Sequence, residues 1–77
     1  MTLTDSQIQL MQEDMTADLA QILMEKWGYS MEEALATIYN SDTFALLQDK
    51  RTGLYYQSVG YVYSFLNNEM TSGAFDR

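Results

Sequence analysis

Ile8, Met11, Met15, Leu19 and Ile22 recur three or four positions apart, and Leu23 widens the stripe. That spacing is the period of an α-helix with one face turned inward. Thr4-Asp5-Ser6-Gln7 stands just before it and fits a capping box, with Thr4 as N-cap and Gln7 reaching back. The pattern predicts a long helix over Asp5–Trp27, closed by Gly28 at the C′ position. A weaker stripe of Leu10, Ala17 and Met24, broadened by Ala20 and Trp27, falls nearly opposite Ile8 and Met15. A helix apolar on two sides is either sandwiched in its own domain or packed against another chain. The alternative is a break near residues 14–16, with Thr16 capping a new start.

Ser30-Met31-Glu32-Glu33 is a second capping box. It opens a helix that runs to Tyr39 and buries Met31, Ala34, Leu35 and Ile38, with Asn40 able to stop it in a left-handed conformation. Ser41 or Asp42 starts a third helix of one to two turns. A helix that short is not stable alone, so burial of Phe44 and Leu47 must hold it. Residues 49–53 predict a tight turn around Gly53. Leu54, Tyr55 and Tyr56 have strand-like propensity but no second strand to pair with, which predicts an extended connector. Ser58 caps a last helix over residues 59–70, whose stripe is Val59, Val62, Tyr63, Leu66 and Met70. Tyr61 and Phe65 share a different face, and Gly60 leaves room for another backbone. Residues 71–77 carry little apolar content and are expected to fray. The fold expected is all-α: a compact bundle of three main helices plus one short helix. It forms a single domain over residues 1–70, with the first, second and last helices around the core.

Composition narrows what such a bundle does. At 77 residues the chain is one domain, and 47% apolar residues is too many for a disordered one. The absence of proline favours uninterrupted helices. Without cysteine there is no disulfide or thiolate site, and without histidine the commonest general base and metal ligand are missing. No glycine loop for a nucleotide is present. The expectation is therefore a protein that is not an enzyme, with no cofactor and no metal. Asp14 and Asp18 are oxygen ligands in principle but sit in no calcium-loop pattern.

The net charge of −7 argues against binding a nucleic-acid backbone or an anionic membrane. The second and third helices, joined by a tight turn, invite a helix-turn-helix reading. The helix after that turn carries Asp42, Thr43 and Gln48 but no Lys or Arg, so no direct nucleic-acid contact is expected. No apolar run reaches membrane-span length and no signal peptide is visible, which makes the cytoplasm the expected location.

Two surfaces remain as candidates. Asp14, Asp18, Gln21 and Glu25 line one ridge of the first helix. This is either a solvated face that keeps the chain soluble or a docking surface for a basic partner. Lys50 and Arg51 lie beside Leu54, Tyr55 and Tyr56, where one ring fills the core or the group contacts another protein. The candidate partner-binding residues are Leu10, Met24, Tyr55, Tyr56, Tyr61 and Phe65, and the candidate acidic surface is Asp14, Asp18 and Glu25. Two functions follow. One is a small acidic protein-interaction module with an unidentified protein partner, a homodimer included. The other is an acidic decoy that mimics nucleic acid, expected if Asp14, Asp18, Glu25, Glu32 and Glu33 share one continuous face.

The runs Ser30-Met31-Glu32-Glu33-Ala34-Leu35, Ile38-Tyr39-Asn40-Ser41 and Thr52-Gly53-Leu54-Tyr55-Tyr56-Gln57-Ser58, followed by Tyr61-Val62-Tyr63, Leu66 and Glu69, carry a resemblance. Over residues 19–70 the chain resembles a group of short uncharacterised bacterial proteins, often met in gut anaerobes. The resemblance implies an antitoxin-like, regulatory or adaptor role and transfers no site residues.

Overall fold

The computed structural model describes residues 3–72. Four helices follow in order: α1 (Asp5–Trp27), α2 (Met31–Tyr39), α3 (Asp42–Gln48) and α4 (Val59–Ser72). Two 3₁₀ turns, Lys50–Thr52 and Leu54–Tyr56, join α3 to α4, and there is no strand among the described residues. α1 packs against α2, α4 and the second 3₁₀ turn, while α3 packs against α4. No helix among the described residues is long and apolar enough to cross a membrane.

The helix ends follow from local side-chain chemistry. Gln7 N donates to Thr4 Oγ1 at 3.1 Å and Thr4 N to Gln7 Oε1 at 2.8 Å. Ser30 and Glu33 repeat the exchange at 3.1 and 2.8 Å. Each box satisfies backbone donors that an α-helix leaves open. α1 is continuous through residues 14–16, and Gly28 ends it at φ 70°, where a side chain would be strained. Asn40 is not left-handed: at φ −95° it stays near helical geometry. It closes α2 with its side chain instead, Nδ2 donating to Ala36 O at 2.8 Å. Ser41 then joins two helices, its hydroxyl donating to Ile38 O and accepting from Phe44 N.

The core is Met15, Leu19, Ala20 and Leu23 from α1, Ala34 and Ile38 from α2, Leu47 from α3, Leu54, and Val62 and Leu66 from α4. The main stripe of α1 is thus the inward one. Met31, expected in the buried face of α2, is 50% exposed, because the inward face is set by Ala34 and Ile38 a turn further along. Phe44 is only partly buried, and Thr43 takes the enclosed place beside Leu47. Trp27 is 36% exposed and ties the end of α1 to α4 through Nε1, which donates to the Tyr63 hydroxyl at 3.0 Å.

Residues 49–53 make the expected tight turn at Gly53, but Leu54–Tyr56 is a second 3₁₀ turn and not an extended connector. Asp49 and Thr52 bend the chain into 3₁₀ turns: Arg51 N donates to Asp49 Oδ1, and Leu54 N to Thr52 Oγ1. Gly53, at φ 71°, lies beneath the Tyr56 ring, and a Cβ there would meet the hydroxyl at 2.8 Å. Ser58 caps α4 as expected, accepting from Tyr61 N at 3.2 Å. Gly60 admits no close backbone, since nothing stands within 4 Å of where its Cβ would be. Thr71 and Ser72 continue α4 instead of fraying as expected, and residues 73–77 lie outside the described residues.

α3 is held from outside at both ends. At its N-terminus the Glu69 carboxylate accepts from Asp42 N at 2.7 Å and from Thr43 N at 3.0 Å. At its C-terminus Gln12 Nε2 donates to Leu47 O at 3.0 Å and Gln48 O at 3.2 Å. A seven-residue helix gains little from propensity. Side chains of α4 and α1 satisfy its open donors and acceptors instead.

Candidate functional site

The inward stripe of α1 leaves its acidic ridge facing out beside the second 3₁₀ turn. A cleft of about 290 Å³ opens there, lined by Met11, Asp14, Met15, Asp18, Tyr55, Gln57 and Val59. Tyr55 reaches it because Leu54, its neighbour, is buried and anchors the turn. Val59 reaches it as the first residue of α4. Asp14 and Asp18 are one turn apart, about 6 Å along the axis. Both are exposed, and neither has a hydrogen-bond or ion-pair partner among the described residues. Like charges at this spacing repel by a few tenths of a kcal/mol. The cleft thus offers two unneutralised carboxylates beside methionine and tyrosine surface.

Lys50 and Arg51, a few positions before Tyr55 in sequence, are already engaged. Lys50 Nζ bonds Asp5 Oδ1 at 2.8 Å, tying the start of α1 to the first 3₁₀ turn. That contact raises the Lys50 pKa and lowers that of Asp5. Arg51 donates through Nε and Nη2 to both oxygens of Asp49, at 3.0 and 2.8 Å. These hydrogen bonds bring the Asp49 carboxyl down to about 2. The basic pair that sequence placed in a contact site therefore makes one long-range and one local ion pair, though both side chains remain in solvent.

The candidate residues divide. Tyr55, Asp14 and Asp18 come together in the cleft. Tyr56 is exposed but turned over Gly53. Met24 and Phe65 pack against the core, while Ala17 and Trp27 of the weaker stripe are exposed. Leu10 is 58% exposed and Tyr61 is 49% exposed, its ring 5.1 Å from that of Phe65. Glu25 continues the ridge and accepts from Gln21 Nε2 at 2.8 Å. Glu33 is folded back on Ser30 N. Met11, Met15, Gln57 and Val59 were not foreseen as cleft residues. The two methionines flank the ridge on the helical period, which is the signal that places them.

A second cleft, of about 340 Å³, lies between α1, α2 and α3 and is lined by Gln9, Gln12, Glu13, Thr16, Ala17, Leu35, Tyr39, Phe44 and Gln48. Tyr39 and Phe44 meet edge to face there, with ring centroids 5.1 Å apart. Gln12 is the residue sequence pattern could have flagged. It stands four positions after Ile8 and four before Thr16, a polar residue in phase with the buried stripe.

No family model, curated protein or solved structure matches this chain.

Proposed function

We propose that this chain is a small acidic protein-interaction module and that the Asp14–Asp18–Tyr55 cleft receives a basic segment of a partner protein. The observation that carries the reading is the juxtaposition of two unpaired carboxylates with apolar and aromatic surface in one concavity. An arginine or lysine side chain suits such a site. Its head meets the carboxylates while its stem lies along Met11, Met15 and Tyr55. Binding also relieves the repulsion between Asp14 and Asp18. The role is one of recognition rather than catalysis. No cysteine calls for an oxidising compartment, and the cytoplasm is the proposed setting. An antitoxin-like or regulatory role is the form this takes if the resemblance to the short bacterial proteins holds.

The test is retention of partner by the tagged native chain and by an Asp14→Asn/Asp18→Asn variant of equal thermal stability. The reading expects a partner held by the native chain and lost by the variant. A partner held equally by both contradicts it. If duplex DNA displaces that partner, the chain acts as a nucleic-acid decoy on the same acidic ridge.

Exposed Leu10 and Tyr61 favour self-association as a second reading. Sedimentation across the micromolar range tests it, with a dimer that Leu10→Glu dissociates as its expected result and a monomer throughout as the contrary one.

A further inference from the structure

The second cleft is lined by a mostly buried amide, Gln12. Gln12 is 6% exposed, and its Nε2 donates to two carbonyl oxygens at the end of α3. Because both partners are acceptors, the amide orientation is settled, with nitrogen toward α3 and oxygen away from it. Oε1 has no hydrogen-bond partner among the described residues. It is not sealed off either, since no buried side-chain oxygen there is both enclosed and unpartnered. Gln12 lines the cleft, and that is where the remaining accessible part of this residue opens. The site therefore presents a solvent-reachable acceptor on a mostly buried side chain.

The surroundings specify the donor. Tyr39, Phe44 and Leu35 form an apolar and aromatic wall. Glu13 also lines the cleft, carrying a carboxylate that only the Gln9 amide contacts among the described residues, at 3.3 Å. An amide oxygen, a carboxylate and aromatic rings are together the groups that recognise an ammonium ion. The net charge of −7 adds a favourable field for a cation. The volume of about 340 Å³ lies at the small end of ligand clefts.

We propose that this cleft is a binding site for a small organic cation, an aromatic or alkyl body carrying a primary ammonium group. The body packs on Tyr39, Phe44 and Leu35. The ammonium donates to Gln12 Oε1 and faces Glu13. This site is separate from the acidic cleft and uses none of its residues.

Titration of the full ¹⁵N-labelled chain with 2-phenylethylammonium chloride, followed by amide spectra, tests the proposal. The expected result is saturable shifts of the Gln12 side-chain amide and of the Thr16, Ala17 and Phe44 backbone amides. Phenylacetate, the same body with a negative head, is expected to produce none. Gln12→Met should abolish the response. Because Gln12 also holds α3, it is paired with Tyr39→Ser, an exposed position outside the core, which should weaken binding about tenfold. The Asp14→Asn/Asp18→Asn variant should bind the amine as the native chain does, which separates this site from the proposed partner cleft. Absence of saturable shifts overturns the proposal. So do equal shifts with phenylacetate, unchanged binding by Tyr39→Ser, or shifts that map to Asp14, Asp18 and Tyr55.

Discussion

Glu69 caps the start of α3 from another helix: its Oε1 accepts from Thr43 N at 3.0 Å and from Thr43 Oγ1 at 2.8 Å. Its other oxygen takes Asp42 N. Charge-assisted bonds to a helix N-terminus are stronger than neutral ones. Glu69→Ala should lower unfolding stability by about 2 kcal/mol. Glu69→Gln keeps one acceptor oxygen and should cost less. Urea unfolding midpoints measure both, and a Glu69→Ala midpoint equal to the native one would contradict the cap.

Ser30→Ala removes one half of the box that opens α2. The expected loss is about 1 kcal/mol. Glu33→Ala should cost a comparable or smaller amount, because Glu33 contributes the return bond to Ser30 N. Equal thermal midpoints for the native chain and Ser30→Ala would show that Ser30 does not hold this helix start.

Asp49 gives a pH signature. Arg51 hydrogen bonds hold its folded-state carboxyl at about 2, below its ordinary 3.8. Folding therefore favours the ionised form. The contribution is fully present above the unfolded value and disappears as pH falls from near 4 through about 2. The carboxyl carbon of Asp49, followed by NMR, should titrate near 2 in the native chain and move toward 3.8 in Arg51→Ala. A midpoint unaffected by Arg51→Ala would remove the ion pair as its cause.

Leu10 and Phe65 were both expected on a partner surface; Leu10 is exposed, whereas Phe65 packs against the core. Leu10→Glu should change stability by no more than about 0.5 kcal/mol, including mild repulsion from Asp14 one turn away. Phe65→Glu places a carboxylate against the core and should cost about 2 kcal/mol or more. Similar losses for the two variants would mean that Leu10 is also internal.

What sequence revealed here was local. Thr4 with Gln7 and Ser30 with Glu33 are relations of three residues, and Gly28 with Leu23 is one of five, decided by backbone geometry the chain carries with it. The inward stripe of α1 was legible for the same reason. The anchors of α3 were not, because Gln12 lies 35 residues from Leu47 and Glu69 lies 27 from Asp42. Glu69 follows fully buried Val62 by two helical turns, so its phase gave a hint, but its partner depended on the tertiary packing. The acidic cleft was half legible. The ridge of Asp14 and Asp18 follows from helical spacing, whereas its meeting with Tyr55 depends on two 3₁₀ turns that the apolar run Leu54-Tyr55-Tyr56 did not announce.

In the proposed complex, partner cations enter the cleft of Asp14, Asp18 and Tyr55. Zero-length carbodiimide cross-linking of the native complex, mapped by mass spectrometry, tests it most directly, because only carboxylates touching a partner amine are joined. Cross-links from Asp14 or Asp18 to partner lysines, suppressed at high salt, are the expected result. Cross-links confined to Glu32, Glu33 or Asp42, with Asp14 and Asp18 unmodified, would contradict it.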